Sequence, residues 1–181
     1  MPIRLDGIVN RDLFRPTAEG EARLLVLISA FSGQQEGLQG RTKLAKLDFL
    51  LRYPEFLERA LLHRGVDAED AAEATSDRNP VEQRMVRFRY GPWDPSYFAL
   101  LGSLIGRRLI EVIPYSRGLG YRATPDGQRL ARELSLDPAW QQTKQRADLL
   151  KRHFNLTGAT LKTMVYDLFP EVTDAAWRET L

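Results

Sequence analysis

The stretch that most constrains this chain runs from Asp94 to Leu134, DPSYFALLGSLIGRRLIEVIPYSRGLGYRATPDGQRLAREL. Asp94-Pro95 reads as a helix start, with Asp94 as N-cap and proline at the first helical position, where its missing N–H costs nothing. Phe98, Leu101, Leu104, Ile105 and Leu109 recur at helical spacing and predict one apolar face. Leu109 to Ile113 is β-rich, Arg117-Gly118-Leu119-Gly120 can turn the chain, and Tyr121 to Ala123 can pair back. Thr124-Pro125 opens a second helix with Leu130 and Leu134 on one side. Helix, strand, hairpin, strand and helix in this order form the second half of a winged helix. The expected fold class is mainly α with a small β-hairpin wing: a winged helix-turn-helix core with additional N- and C-terminal helices. An unrelated helical domain with a surface hairpin would give the same pattern.

Upstream, residues 1–16 read as an extended arm, and Thr17 is placed to cap a helix reaching about Ser32. Gly33 to Gly40 reads as a polar loop. Thr42 is expected to cap a short helix with Leu44, Leu47 and Leu51 as its apolar stripe. Tyr53-Pro54 breaks that helix, and Pro54 starts another that Gly65 ends. Val66 to Pro80 is acidic and Ala-rich; it could form a weak helix turn, but its apolar side chains are too small to anchor it, so mobility is expected there. Val86, Phe88 and Tyr90 alternate with Arg87 and Arg89, as in a strand with one buried face. Downstream, Asp137-Pro138 opens a helix to about Phe154, and Thr157 caps a last helix that Phe169-Pro170 ends, followed by a tail with Trp177. The expected division is a winged-helix domain with its arm and helices over 1–135, then a helical extension over 136–181.

Composition narrows the chemistry. The 181 residues include no cysteine, which removes disulfides, thiol catalysis and thiolate metal sites. No apolar run approaches the ~20 residues a membrane span needs, and the start lacks a signal-peptide layout, so a soluble cytoplasmic protein is expected. Gly40-Arg41-Thr42 fails as a phosphate-binding P-loop, because Gln35 stands at its first glycine and Arg41 at its lysine. His63 and His153 lie far apart, each beside an arginine, and read as surface residues rather than metal ligands. No catalytic residue, metal or cofactor is expected.

Charge is uneven. Residues 84–132 carry nine arginines against three acids, while both flanks are slightly acidic. Arg84, Arg87, Arg89, Arg107, Arg117 and Arg122 form the candidate set for DNA phosphates or an acidic partner. A solvated basic face would look the same. The helix before the wing offers Ser96, Ala99, Ser103 and Arg107, a poor surface for reading base edges. Gly102 and Gly106 suit the close approach of another backbone. With Trp93 they form the candidate partner-contact set.

Four stretches carry a resemblance: LQGRTKLAKLDFLLRYPEFLERAL, RMVRFRYGPWDPSYFALLGSLIGRRLI, GYRATPDGQRLA and LTGATLKTMVYDLFPEV. From about Gly37 to Val172 the chain resembles the middle component of bacterial three-component ABC-ATPase systems of the Lamassu type. The wing and TPDGQRL are shared more widely, including with the MarR and PadR regulators. The resemblance implies a non-enzymatic adaptor in an anti-phage or anti-plasmid complex. Its partners would be an SMC-like ABC ATPase subunit and a nuclease-like effector, with sequence-independent DNA contact and no membrane. The competing expectation is a MarR/PadR-like homodimeric transcription regulator, with an enzyme of unknown chemistry as a third, weaker alternative.

Overall fold

A computed structural model of the chain describes residues 15–76, 85–88 and 91–174. The arm up to residue 14, Arg84, Arg89, Tyr90 and Trp177 lie outside the described residues, as do the side chains of Val86–Phe88 and the burial expected of their alternation.

Two helices form the centre. Helix α1 (Ala18–Ala30) is capped by Thr17, whose Oγ1 accepts the Gly20 N–H at 3.0 Å. It is buried without a break from Arg23 to Ile28. Helix α2 (Arg41–Arg52) is buried continuously from Lys43 to Arg52, so the expected one-sided stripe is instead a helix enclosed on every side. Its N-cap is Gly40, two residues before the expected Thr42, at φ 83°, a backbone angle that glycine adopts without steric cost.

Between α1 and α2, the expected Gly33–Gly40 loop contains strand β1 (Leu38–Gln39). Strands β4 (Ile110–Tyr115) and β5 (Gly118–Ala123) form the hairpin, and β1 pairs antiparallel with β5, giving the order β1-β5-β4. Leu38 faces Tyr121 and Gln39 faces Gly120. Glycine makes this possible, since a Cβ on Gly37 would lie 2.5 Å from the Tyr121 carbonyl oxygen. Tyr115 pairs with Gly118, so the turn is the two residues Ser116 and Arg117, shorter than expected because Gly118 to Gly120 join the ladder.

Helix α3 (Pro54–His63) runs from the expected proline, and the chain leaves it through Gly65 at φ 79°. Part of the acidic segment, for which mobility was expected, is helical, while its residues 77–80 lie outside the described residues. Its residues Ala68–Ala74 form helix α4, with Ala71 fully buried against α3 and α7 (Pro138–Phe154). Strand β2 (Val86–Phe88) pairs antiparallel with β3 (Gly91–Trp93), placing Arg87 opposite Pro92.

Helix α5 (Tyr97–Gly106) leads into β4, and α6 (Pro125–Leu136) follows β5, capped by Thr124 as expected. Helix α8 (Gly158–Leu168) is capped by Thr157, and Phe169-Pro170 ends it but begins a further turn of helix, α9 (Pro170–Thr173). Helix α7 packs on α1 and α2, and α8 packs on α2. Leu150, Phe154, Leu161, Val165 and Phe169 thereby join Leu24, Ile28, Leu47 and Phe49 in one hydrophobic cluster.

Candidate interaction face

A buried network sets the orientation of α5. Asp48 of α2 is fully buried and receives the Arg23 Nε–H at 2.8 Å and the Tyr97 hydroxyl at 2.8 Å. Arg52, one turn on, donates to Asp94 Oδ2 at 2.7 Å. Asp94 Oδ1 accepts the Ser96 N–H at 2.8 Å and its hydroxyl at 2.5 Å. Asp94 is therefore not the helix N-cap. Ser96 occupies that position, and Asp94 anchors the preceding turn because Arg52 binds its other oxygen.

Electrostatics hold these protonation states. Burial, and then the Asp48 and Asp94 carboxylates, push the Tyr97 phenol well above its usual value, so it remains a neutral donor. Burial alone would lower Arg52, but Asp48, Tyr97 and Asp94 outweigh it and raise its guanidinium. Two arginines and two aspartates thus balance in charge where water is excluded.

With Tyr97 fixed inward, Leu100, Leu101 and Leu104 also face the core. Phe98 is 61% exposed and Ile105 37%. The expected face through Phe98, Leu101, Leu104 and Ile105 is thus split between core and surface. The network turns the helix by its first residue, and Leu100 packs against Gly20 of α1. Gly102 and Gly106 are exposed, and a Cβ on either would meet nothing within 4 Å. No other part of the described chain approaches them. Phe98, Gly102 and Ile105 follow one another at helical spacing as an apolar outer face.

This face continues into a hollow of about 350 Å³ between α2, β3 and Phe98. Trp93 is half-buried at its edge, standing perpendicular to the Tyr97 ring at 5.0 Å and tilted to Phe98 at 6.2 Å. The Arg41 guanidinium lies 4.8 Å over the Phe98 ring. Lys46 lines the floor, fully buried, its ammonium lowered to about 8 by burial and then by Lys162. Neither Arg41 nor Lys46 is a candidate from sequence, because only the fold brings α2 beside Phe98.

The three arginines of the set whose side chains are described, Arg107, Arg117 and Arg122, are dispersed. Arg107 pairs with Glu21 at 2.6 Å, and Ser103 donates to the same carboxylate at 2.6 Å. Arg122 pairs with Glu111 at 2.9 Å and donates to the Gln34 carbonyl at 2.8 Å. Arg117 stands exposed on the β4–β5 turn. Nothing in the local sequence identifies Glu21 as the partner of Arg107, 86 residues away. His63 is exposed and His153 half-buried, its ring lowered by burial, Arg152 and Arg64. Among the described residues no group of three His, Asp or Glu could hold a metal ion, and no helix is long and apolar enough to cross a membrane.

Comparison of the chain with protein-family models, with curated proteins and with solved structures finds no match in any of the three.

Proposed function

We propose that the protein is a winged-helix adaptor whose α5 face and adjoining aromatic hollow dock another protein. The observation that carries this reading is the outward Phe98–Gly102–Ile105 row on the helix preceding the hairpin. A helix that reads DNA presents donors and acceptors to base edges. This one presents apolar side chains and open glycines, which suit a protein surface. The order α1-β1-α2-α5-β4-β5, with β1 beside β5, supports the winged-helix assignment, with α3, α4, β2 and β3 inserted between α2 and α5.

The resemblance to Lamassu-type systems supplies the partner. The adaptor would link an SMC-like ABC ATPase to a nuclease-like effector in the bacterial cytoplasm, in an anti-phage or anti-plasmid complex. Pairing of Arg107 and Arg122 with Glu21 and Glu111 leaves DNA contact as secondary and sequence-independent.

The test is affinity capture of the tagged chain from its native host after nuclease treatment, beside a Phe98→Asp, Ile105→Asp variant. Near-stoichiometric recovery of a large ABC-type ATPase with the unsubstituted chain, lost in the variant, supports the reading. A homodimer without that partner, binding one short duplex tightly and selectively, overturns it in favour of a transcription regulator.

A further inference from the structure

The side of the hairpin that closes the core runs on past it. Ile110, Val112 and Pro114 of β4 stand opposite Ala123, Tyr121 and Leu119 of β5, and residues two apart on a strand share a face. Ile110 and Ala123 are buried, whereas Val112 is 43% exposed and Leu119 61%. Phe98 and Ile105 of α5 are exposed as well, and among the described residues the other exposed large hydrophobics are Leu62 and Leu136. Arg41 joins the hairpin to α5. Its guanidinium lies over the Phe98 ring, and it opposes the rise that burial gives the Tyr121 phenol.

Charge on this surface has one sign. The hollow beside Phe98 is walled by Ala45, Pro92, Trp93 and Phe98, and its charged lining residues are Arg41 and Lys46, with no acid among the described ones. Arg107 and Arg122 have carboxylate partners, but exposed Arg41 makes no ion pair with any described residue. An arginine held over a ring keeps its N–H donors for a carboxylate. Arg41 is also the first residue of α2, whose dipole adds the same sign. At about 350 Å³ the hollow sits at the small end of ligand pockets, roughly 300–1,000 Å³, with room for one large side chain.

We propose that this surface recognises an acidic, apolar segment of a protein partner. One aromatic or large aliphatic side chain enters the hollow against Trp93 and Phe98, and a neighbouring carboxylate meets the Arg41 guanidinium. The rest of the segment's apolar side lies along Ile105, Val112 and Leu119. The proposal rests on the adaptor reading and adds the chemistry of what docks. A nucleic-acid strand fits less well, because stacking on aromatics needs a basic groove that tracks the backbone, and Arg107 and Arg122 are already paired.

The test is selection of a displayed library of random twelve-residue peptides on the full tagged chain, with counter-selection on an Arg41→Glu variant. Enriched peptides should carry Asp or Glu within two residues of an aromatic or large aliphatic residue. In fluorescence anisotropy, Arg41→Glu and Arg41→Gln should each weaken a selected peptide about tenfold or more, the loss of one charge-assisted contact. Arg122→Gln, whose partner is Glu111, should leave affinity unchanged. Four results overturn the proposal: no enrichment, enriched peptides without acids, equal affinity in all variants, or displacement of the peptide by a single-stranded oligonucleotide. A homodimer lost on Phe98→Asp would also overturn it, in favour of a second copy on this face. Capture of the ABC-type ATPase by Arg41→Glu as fully as by the unsubstituted chain refutes the acidic segment and leaves the adaptor standing. Acidic, apolar peptides bound by a chain that captures no ATPase refute the adaptor and leave the segment standing.

Discussion

Replacing Asp48 by asparagine keeps its shape and removes one charge from the network that orients α5. Arg23 Nε lies 2.8 Å from its carboxylate and Arg52 NH1 3.7 Å. At an effective dielectric constant of about 20, these separations correspond to attractions of about 6 and about 4.5 kcal/mol. Relief of the buried carboxylate's own desolvation offsets much of this, and the amide still accepts one hydrogen bond. What remains is an uncompensated buried positive charge, which destabilises by roughly 3–5 kcal/mol. With a urea slope of about 2 kcal/mol per molar, the midpoint should fall by about 2 M in unfolding followed by circular dichroism. Glu111→Gln, which breaks the more exposed pair with Arg122, should cost under about 1 kcal/mol. A shift for Asp48→Asn no larger than for Glu111→Gln would refute the argument that the network holds the helix.

Gly127→Ala should destabilise by about 2–3 kcal/mol in the same assay, because its Cβ would lie 1.9 Å from the Leu109 carbonyl oxygen, a backbone atom with nowhere to move; an unchanged midpoint would refute the close packing of α6 on the entry to β4. Gly102→Ala should do the opposite, stabilising by about 0.5–1 kcal/mol, since it sits in a helix with open space beyond it. The same substitution should weaken capture of a partner whose backbone approaches there, and a less stable variant would refute the open placement. Stability should also rise with alkalinity from pH 8 towards pH 10. Folded Lys43 and Lys46 release their protons near 8 and the unfolded chain near 10.5, so the unfolded state binds more protons in that window. The slope is at most about 1.4 kcal/mol per pH unit for each lysine. Above pH 10 the raised Tyr97 reverses the trend, because the unfolded phenol ionises first. Urea midpoints at pH 7.5 and 9.5 check this, and a lower midpoint at pH 9.5 would refute it.

Helix starts were legible in the sequence where their chemistry is local. Thr17, Thr124, Asp137 and Thr157 each cap with their own side chain an amide two or three residues on. Pro54 likewise opens α3 where expected. Asp94 carries the same signal, yet Arg52 draws it into the interior from 42 residues away. Strand β1 was invisible because two residues have no periodicity, and their pairing partner lies over eighty positions downstream. Helix α4 was legible only as a weak turn because alanine-rich composition speaks to solvation, whereas Ala71 is buried where α4 packs on α3 and α7.

The candidate site divides in the same way. The sequence alone determined that this would be a mainly helical chain with a β hairpin, with an arginine-rich middle and two glycines on the helix before the hairpin. Those properties follow from turn chemistry, periodicity and composition, each confined to a few neighbouring residues. Only the tertiary structure decided which face of α5 meets solvent, that Arg107 and Arg122 are already paired, and that Arg41 and Lys46 border the hollow beside Phe98. Rotation of a helix, pairing of distant charges and convergence of three elements depend on separations of tens of residues. Such separations are set by how the core closes and leave no mark on the local pattern.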